Sequence, residues 1–265
     1  MNFRRLSTLL LSIVFSGIGF IVSGQGVQVL PNLAEKRVDV FMDGKLFTSY
    51  RFSDDLKKPS FFPILSSEAI SAPPQLKFGK QFELPFHPTI GSGIEEKKLP
   101  ETSIVHKSLD SYKSGENQGE MTVTSEWKNI KGKTVITEKT VYIFERKDGA
   151  RFINRKTTLL AGKDTIRFED DNQPTVASKW MNMKSLQGVD STRLTLLYHP
   201  ENRGSEAENT VVRVKNDPDK APKEPEINLY IPPGKSINFT HRIVVWTGEI
   251  PDHETIMKYY QEWVK

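Results

Sequence analysis

The 265-residue chain contains no cysteine. That excludes a disulfide framework, a thiolate nucleophile and any cysteine-ligated metal centre. A chain of this size must therefore be held by its apolar core. Clustered charge of one sign is also absent: 37 basic residues face 33 acidic ones, with lysines scattered among glutamates. Nucleic-acid binding needs a concentrated basic excess to neutralise phosphates, so no nucleic-acid partner is expected. The five histidines (His87, His106, His199, His241 and His253) never fall at H-x-H or H-x-x-x-H spacing, so no metal site and no cofactor are expected from local sequence. There is no nucleophile elbow, no phosphate-binding glycine loop, no internal repeat and no low-complexity tract.

Long apolar runs are limited to one. Arg4 and Arg5 precede "LSTLLLSIVFSGIGFIV" (6–22), and small residues at Val22 and Gly24 suit positions −3 and −1 of a signal-peptidase site. The run is short for a membrane span and is interrupted by Gly17 and Gly19. Residues 1–24 therefore read as a cleavable signal peptide, and the absence of cysteine excludes a lipoprotein anchor. The expectation is export to the periplasm or beyond, with no membrane span after cleavage and residues 25–265 as one domain. Removing Arg4 and Arg5 leaves a net charge of about +2.

What is abundant is alternation. "KRVDVFM" (36–42) puts Val38, Val40 and Met42 on one face, and "KLFTSYRF" (45–52) puts Leu46, Tyr50 and Phe52 on another. Asp43-Gly44 between them supplies the positive φ angles of a type I′ hairpin turn. "GEMTVTSEW" (119–127), with Met121, Val123 and Trp127 inward, joins "KTVITEKTVYIFER" (133–146) through the turn "NIKG" (129–132). "KDG" (147–149) then leads into "RFINRKTTLLA" (151–161) and "DTIRFED" (164–170). Later strands are 191–199, 209–215, 226–231 and 236–246, the last apolar on both faces near its end, as a central strand would be. The pattern predicts an all-β antiparallel sandwich. Residues 66–101 and 200–225 are rich in proline and read as loops. One helix follows over 252–264: Asp252 is its N-cap, and Ile256, Met257, Tyr260, Trp263 and Val264 form a stripe that docks on a sheet.

"RFSDDLKKPSFFPIL" (51–65) allows two readings. Paired carboxylates Asp54 and Asp55 can perform acid–base work if their environments drive their pKa values apart. The same residues beside Lys57, Lys58 and Pro59 also describe a solvated turn between strands. "FEDDNQP" (168–174), with Asp170 and Asp171, likewise reads as a polar turn. Trp127, Trp180 and Tyr198 could stack on a pyranose, and each is also compatible with a core position.

The stretch "DGKLFTSYRFSDDLKKPSFFPI" (43–64) resembles the opening signature of an exported bacterial family labelled "methane oxygenase PmoA", whose members read D-G-K-P-F-T-S-Y, then D-x-x-K-K-P, then an aromatic and P-I. "TSIVHKSL" (102–109), "SGENQGEMTVTSEWKNIKGKTVITEKTVYIF" (114–144), "ASKWMNM" (177–183) and "LLYHPEN" (196–202) continue the resemblance in order. It implies a β-sandwich of the kind used by sugar mutarotases, and saccharide-related chemistry or binding. A membrane copper oxygenase needs several transmembrane helices and metal-ligand histidines, which this sequence lacks. The family's H-P-H-H-x-G-x-W motif is reduced here to "PFHPTIGSG" (85–93), retaining His87, Pro88 and Gly91 but with Thr89 and Ile90 in place of histidines. His199, Pro200 and Asn202 survive, but the downstream W-H-A-R-like motif does not, and the segment between 170 and 177 is shortened.

Three functions follow from these observations. The first is a non-catalytic, degenerate PmoA-like protein binding a saccharide or an envelope partner, with Asp54, Asp55, Lys58 and Asn202 as candidate ligand-binding residues. The second is a carbohydrate-processing enzyme (isomerase, lyase or hydrolase) using His87, His106 and His199 with a nearby carboxylate. A purely structural envelope role is a third.

Overall fold

The fold is taken from a computed structural model. It describes residues 26–56, 58–67, 103–168, 180–184, 193–202, 211–213 and 226–265. The strands among them are β1 (Val27–Asn32), β2 (Arg37–Met42), β3 (Lys45–Arg51), β4 (Ser60–Ile64), β5 (Ser103–Lys113), β6 (Gln118–Lys128), β7 (Thr134–Lys147), β8 (Ala150–Ala161), β9 (Ile166–Phe168), β10 (Trp180–Lys184), β11 (Arg193–Tyr198), β12 (Val211–Arg213), β13 (Glu226–Ile231) and β14 (Ser236–Trp246). One helix, α1 (His253–Trp263), closes the chain. All pairing is antiparallel: a four-stranded sheet β1-β2-β3-β4, a seven-stranded sheet β10-β11-β14-β8-β7-β6-β5, and a three-stranded sheet β12-β13-β9. The result is an all-β sandwich with a C-terminal helix.

Turn chemistry forms the hairpins. Asp43 and Gly44 both adopt positive φ (53° and 72°), as do Asp148 and Gly149 (52° and 78°), which is the backbone a type I′ turn needs. The β6–β7 turn is held by Asn129, whose Oδ1 accepts from the amides of Lys131 and Lys133, both at 3.0 Å. Val38, Val40 and Met42 face the core as the alternation implies. Leu46 does not share the Tyr50 face: Val40 pairs with Thr48 but Phe41 with Leu46, so Phe47 is the extra residue of a bulge. The bulge turns Phe47 into the core and leaves Leu46 half-buried.

Four strands escaped the alternation rule: β1, β4, β5 and β10. β5 carries two register shifts, between His106 and Ser108 and between Leu109 and Ser111, so its inward residues are not evenly spaced. β1 and β10 are short edge strands. β1 is tied to the end of the β5–β6 hairpin by the reciprocal pair Val27 N–H to Gly115 O (2.8 Å) and Gly115 N–H to Val27 O (3.0 Å). Gly119 permits this approach: a Cβ there would lie 2.8 Å from side-chain carbons of both Val27 and Val29. Arg151 holds the chain leaving β4, donating to the carbonyls of Leu65 (3.0 Å) and Ser66 (2.9 Å).

Two apolar clusters lie on the inner face of the seven-stranded sheet. The larger joins it to the four-stranded sheet and includes Val38, Val40, Phe47, Met121, Val123, Phe144, Ile153, Leu196 and Val245. The second, at the other end of the strands, gathers Trp127, Ile136, Leu159, Ile166, Ile231, Ile237 and Phe239. α1 covers part of the outer face, packing Ile256 and Tyr260 on Phe152, Leu197, Val244 and Trp246. Asp252 caps it, accepting from Thr255 N–H at 2.9 Å. β14 lies between β11 and β8, and both its faces are buried from Ile243 to Trp246. No helix among the described residues is long and apolar enough to cross a membrane.

Candidate functional site

Between the two apolar clusters, the inner face carries a belt of polar side chains. Register creates it. His106, Ser125 and Glu138 lie in one cross-strand row, Thr140 pairs with Thr157, and Tyr142, Arg155 and His241 form another row. Side chains in strands alternate faces, so residues at these registers share the inward face. Burying an ionised residue is costly unless it is paired and hydrogen-bonded. Glu138 is paired: Oε1 accepts from Arg155 Nη2 (3.0 Å) and Thr140 Oγ1 (2.8 Å), and Oε2 accepts from Trp127 Nε1 (2.8 Å). Thr140 spends its single hydroxyl proton on that carboxylate, so in the 3.0 Å contact between the two hydroxyls Thr157 is the donor.

The neighbours of this ion pair are held neutral. Burial pushes the Tyr142 phenol up to about 12, Arg155 pulling down and Glu138 pushing up more weakly. Burial also drives Tyr50 well above its ordinary value, with Tyr142 adding to it. His241 is fully buried; loss of solvation first, and the Arg155 charge second, lower its pKa to about 3. Arg155 stays cationic: burial opposes its charge, but Tyr142 and Glu138 outweigh that.

At the β3–β5 end the belt meets a half-buried aromatic patch. His106 stacks on Phe52 with ring centroids 4.0 Å apart, and Tyr50 contacts Phe52 (5.8 Å), Phe61 (5.6 Å) and His106 (5.7 Å). Phe52, Phe61 and His106 are each partly exposed, whereas Tyr50 is buried. Burial lowers the His106 pKa, with Asp110 opposing.

The two histidine candidates among the described residues, His106 and His199, are not brought together. His106 sits on the inner face of β5, while His199 follows β11 and meets Trp263 of α1 edge-on at 5.3 Å. Five inter-strand steps separate β5 from β11, roughly 24 Å at the usual strand spacing. His87 lies outside the described residues, as do Asp170 and Asp171. His199 Nδ1 accepts from Glu201 N–H at 3.3 Å, within a short 3₁₀ turn over Pro200–Asn202.

The ligand candidates also have local roles. Asp54 and Asp55 are exposed; Asp54 pairs with Lys36, and Leu56 N–H bonds Ser53 O at 3.1 Å, closing the turn before β4. A hydrogen bond from Ser53 lowers the Asp55 pKa first, followed by a backbone one. Lys58 is half-buried just before β4. Asn202 clasps β14: Nδ2 donates to Thr240 O (2.7 Å) and Oδ1 accepts from Thr240 N–H (2.6 Å), so the side chain continues β11's ladder where its backbone turns away. Its amide also reaches His241 Nε2 at 3.5 Å. Trp180 packs against His253 and Tyr260 beneath α1, and Trp127 is buried over the Glu138 carboxylate. Among the described residues, no group of three or more histidine and carboxylate side chains is arranged to hold a metal ion.

Glu138, Arg155, Tyr142 and Tyr50 were not candidates from sequence. The signal was a charge at an inward-phase position in two consecutive strands, "ITEKTVYIF" and "RFINRKTT". Only register shows that the two charges meet.

A family model described as a family of unknown function (DUF6807) matches residues 90–177. That span is a third of the chain, and its described part holds β5 to β9 with His106, Glu138, Tyr142 and Arg155. No curated protein and no solved structure matches the chain.

Proposed function

We propose that the protein is an exported, non-catalytic PmoA-like protein that binds a neutral saccharide at the Phe52–Phe61–His106 patch. The patch is the observation that carries this reading. Saccharide sites present apolar, aromatic surface to the C–H faces of the sugar and a few fixed polar groups to its oxygens. Phe52 and Phe61 offer that surface, and His106 offers a polar edge held by stacking. The adjoining belt has one cation and one anion that cancel, which favours a neutral ligand over a uronate or phosphate.

The non-catalytic part rests on how the titratable groups are used. Both Glu138 oxygens are committed to donors, and His241 is neutral and enclosed. A general acid or base must reach the proton it moves. The span between His106 and His199 also weighs against an enzyme built on those two residues.

The test is titration with glucose, galactose, maltose and cellobiose, followed by NMR and calorimetry. Saturable shifts at Phe52, Phe61 and His106, lost in Phe52→Ala, are the expected result. No binding by any of the four, or binding whose shifts map elsewhere, rejects the site. Conversion of a bound sugar, followed by its anomeric and C–H signals, rejects the non-catalytic reading.

A further inference from the structure

We infer that Tyr50 is a positioning residue that fixes the His106 imidazole in its Nε2–H tautomer, so that His106 meets the ligand as a neutral donor to an acceptor oxygen. This rests on the saccharide reading for its ligand, but not for its tautomer.

The chain of donors starts inside the sandwich. Tyr50 is 2 % exposed, so its hydroxyl proton needs an acceptor within the protein. The Tyr50 oxygen lies 3.3 Å from His106 Nδ1. Nδ1 is the acceptor that the buried hydroxyl reaches, so the Tyr50 proton goes to Nδ1. A phenol this deeply buried keeps that proton at neutral pH.

Neutral imidazole has one N–H and one lone-pair nitrogen. Nδ1 accepts, so Nε2 carries the hydrogen. No described residue hydrogen-bonds Nε2. Stacking on Phe52 at 4.0 Å fixes the ring plane, both rings are partly exposed, and with Nδ1 committed to the buried Tyr50 hydroxyl the Nε2–H is the donor left for a ligand. A donor beside an aromatic face selects a ligand with an oxygen acceptor next to a C–H surface, such as the ring or hydroxyl oxygen of a pyranose. The donors run one way, Tyr50 to His106 to ligand, with no net transfer of a proton.

The experiment is long-range ¹H–¹⁵N correlation of the imidazoles in the full chain, with His106 assigned by its loss in His106→Phe. The expected result is a single His106 tautomer, protonated at Nε2 and bare at Nδ1, giving way to a tautomer mixture in Tyr50→Phe. That substitution retains the ring and its packing, and thermal melting checks that it folds. An Nδ1–H tautomer or a mixture in the unmodified protein overturns the assignment whatever the sugars do. With maltose as probe, His106→Phe keeps an aromatic ring over Phe52 but removes the donor, and affinity should fall about tenfold, the equivalent of one hydrogen bond of about 1.4 kcal/mol. Unchanged affinity in His106→Phe overturns the donor role. If the tautomer is as stated but none of the four sugars binds, the saccharide reading fails and the Tyr50–His106 assignment stands.

Discussion

Replacing Arg155 by methionine removes the cation from the belt while keeping most of its aliphatic volume. The carboxylate of Glu138 would then keep its bonds from Trp127 and Thr140 but lose its counter-charge, with its side chain only 9 % exposed. Breaking a buried pair from one side costs about 3–5 kcal/mol, because an uncompensated charge remains. Domains are stable by only about 5–15 kcal/mol, so the loss is a large fraction of the total. With a urea m-value of about 2–3 kcal/mol/M, the unfolding midpoint should drop by about 1–2 M. The double variant Glu138→Gln, Arg155→Met removes both charges and should recover most of that loss, since neutral replacements of buried pairs are often close to isoenergetic. A lone buried carboxylate can also shed its charge by binding a proton. The Arg155→Met deficit should therefore be smaller near pH 4 than near pH 8, because the folded state then gains protons relative to the unfolded one. The assay is urea denaturation of the four proteins of the cycle at both pH values. A deficit below about 1 kcal/mol, or strict additivity in the cycle, would show that the pair is solvated and that the belt is not a buried electrostatic unit.

The remaining predictions concern other parts of the fold. His241 is depressed to about 3 when folded, so the unfolded chain binds its proton first as pH falls below about 6.5. Its contribution is fully present above that pH and is lost towards pH 3, at up to about 1.4 kcal/mol per pH unit. His241→Leu should flatten the acid limb of a stability–pH curve, and an unchanged limb would refute this. Asn202→Ala removes two bonds to the Thr240 backbone and should cost about 1–3 kcal/mol, with faster amide exchange at Thr240 as the local readout. Ile256→Ala should cost about 2–5 kcal/mol by undocking α1 from Phe152 and Trp246, visible as lost near-ultraviolet signal. By contrast, Asp54→Asn with Asp55→Asn should leave both the thermal midpoint and maltose affinity unchanged, since both side chains are exposed in a turn. A loss of affinity would return the pair to the binding site.

Local pattern was sufficient for the elements whose structure is local. Asp43-Gly44 and Asp148-Gly149 demand positive φ, so their hairpins were legible from composition alone. Val38, Val40 and Met42 follow a period of two, and the α1 stripe a helical one, so both buried faces could be read directly. Local pattern failed where the period breaks. The extra residue at Phe47 moved the core position by one, and the two bulges of β5 hid an eleven-residue strand. The candidate site was less legible still. His106, Asp54, Asp55 and Asn202 stood out as residue types, yet their roles are set by what lies across from them: a tyrosine from another sheet, a solvated turn, the backbone of β14. Glu138 and Arg155 stand 17 positions apart in sequence, in two strands that each look like ordinary alternation with one charge out of place. Residue type and spacing decided the strands, their turns and the terminal helix, because those energies act between near neighbours. Strand register decided the belt and the aromatic patch, because it alone determines which side chains share a face and thus which buried charges and protons find partners.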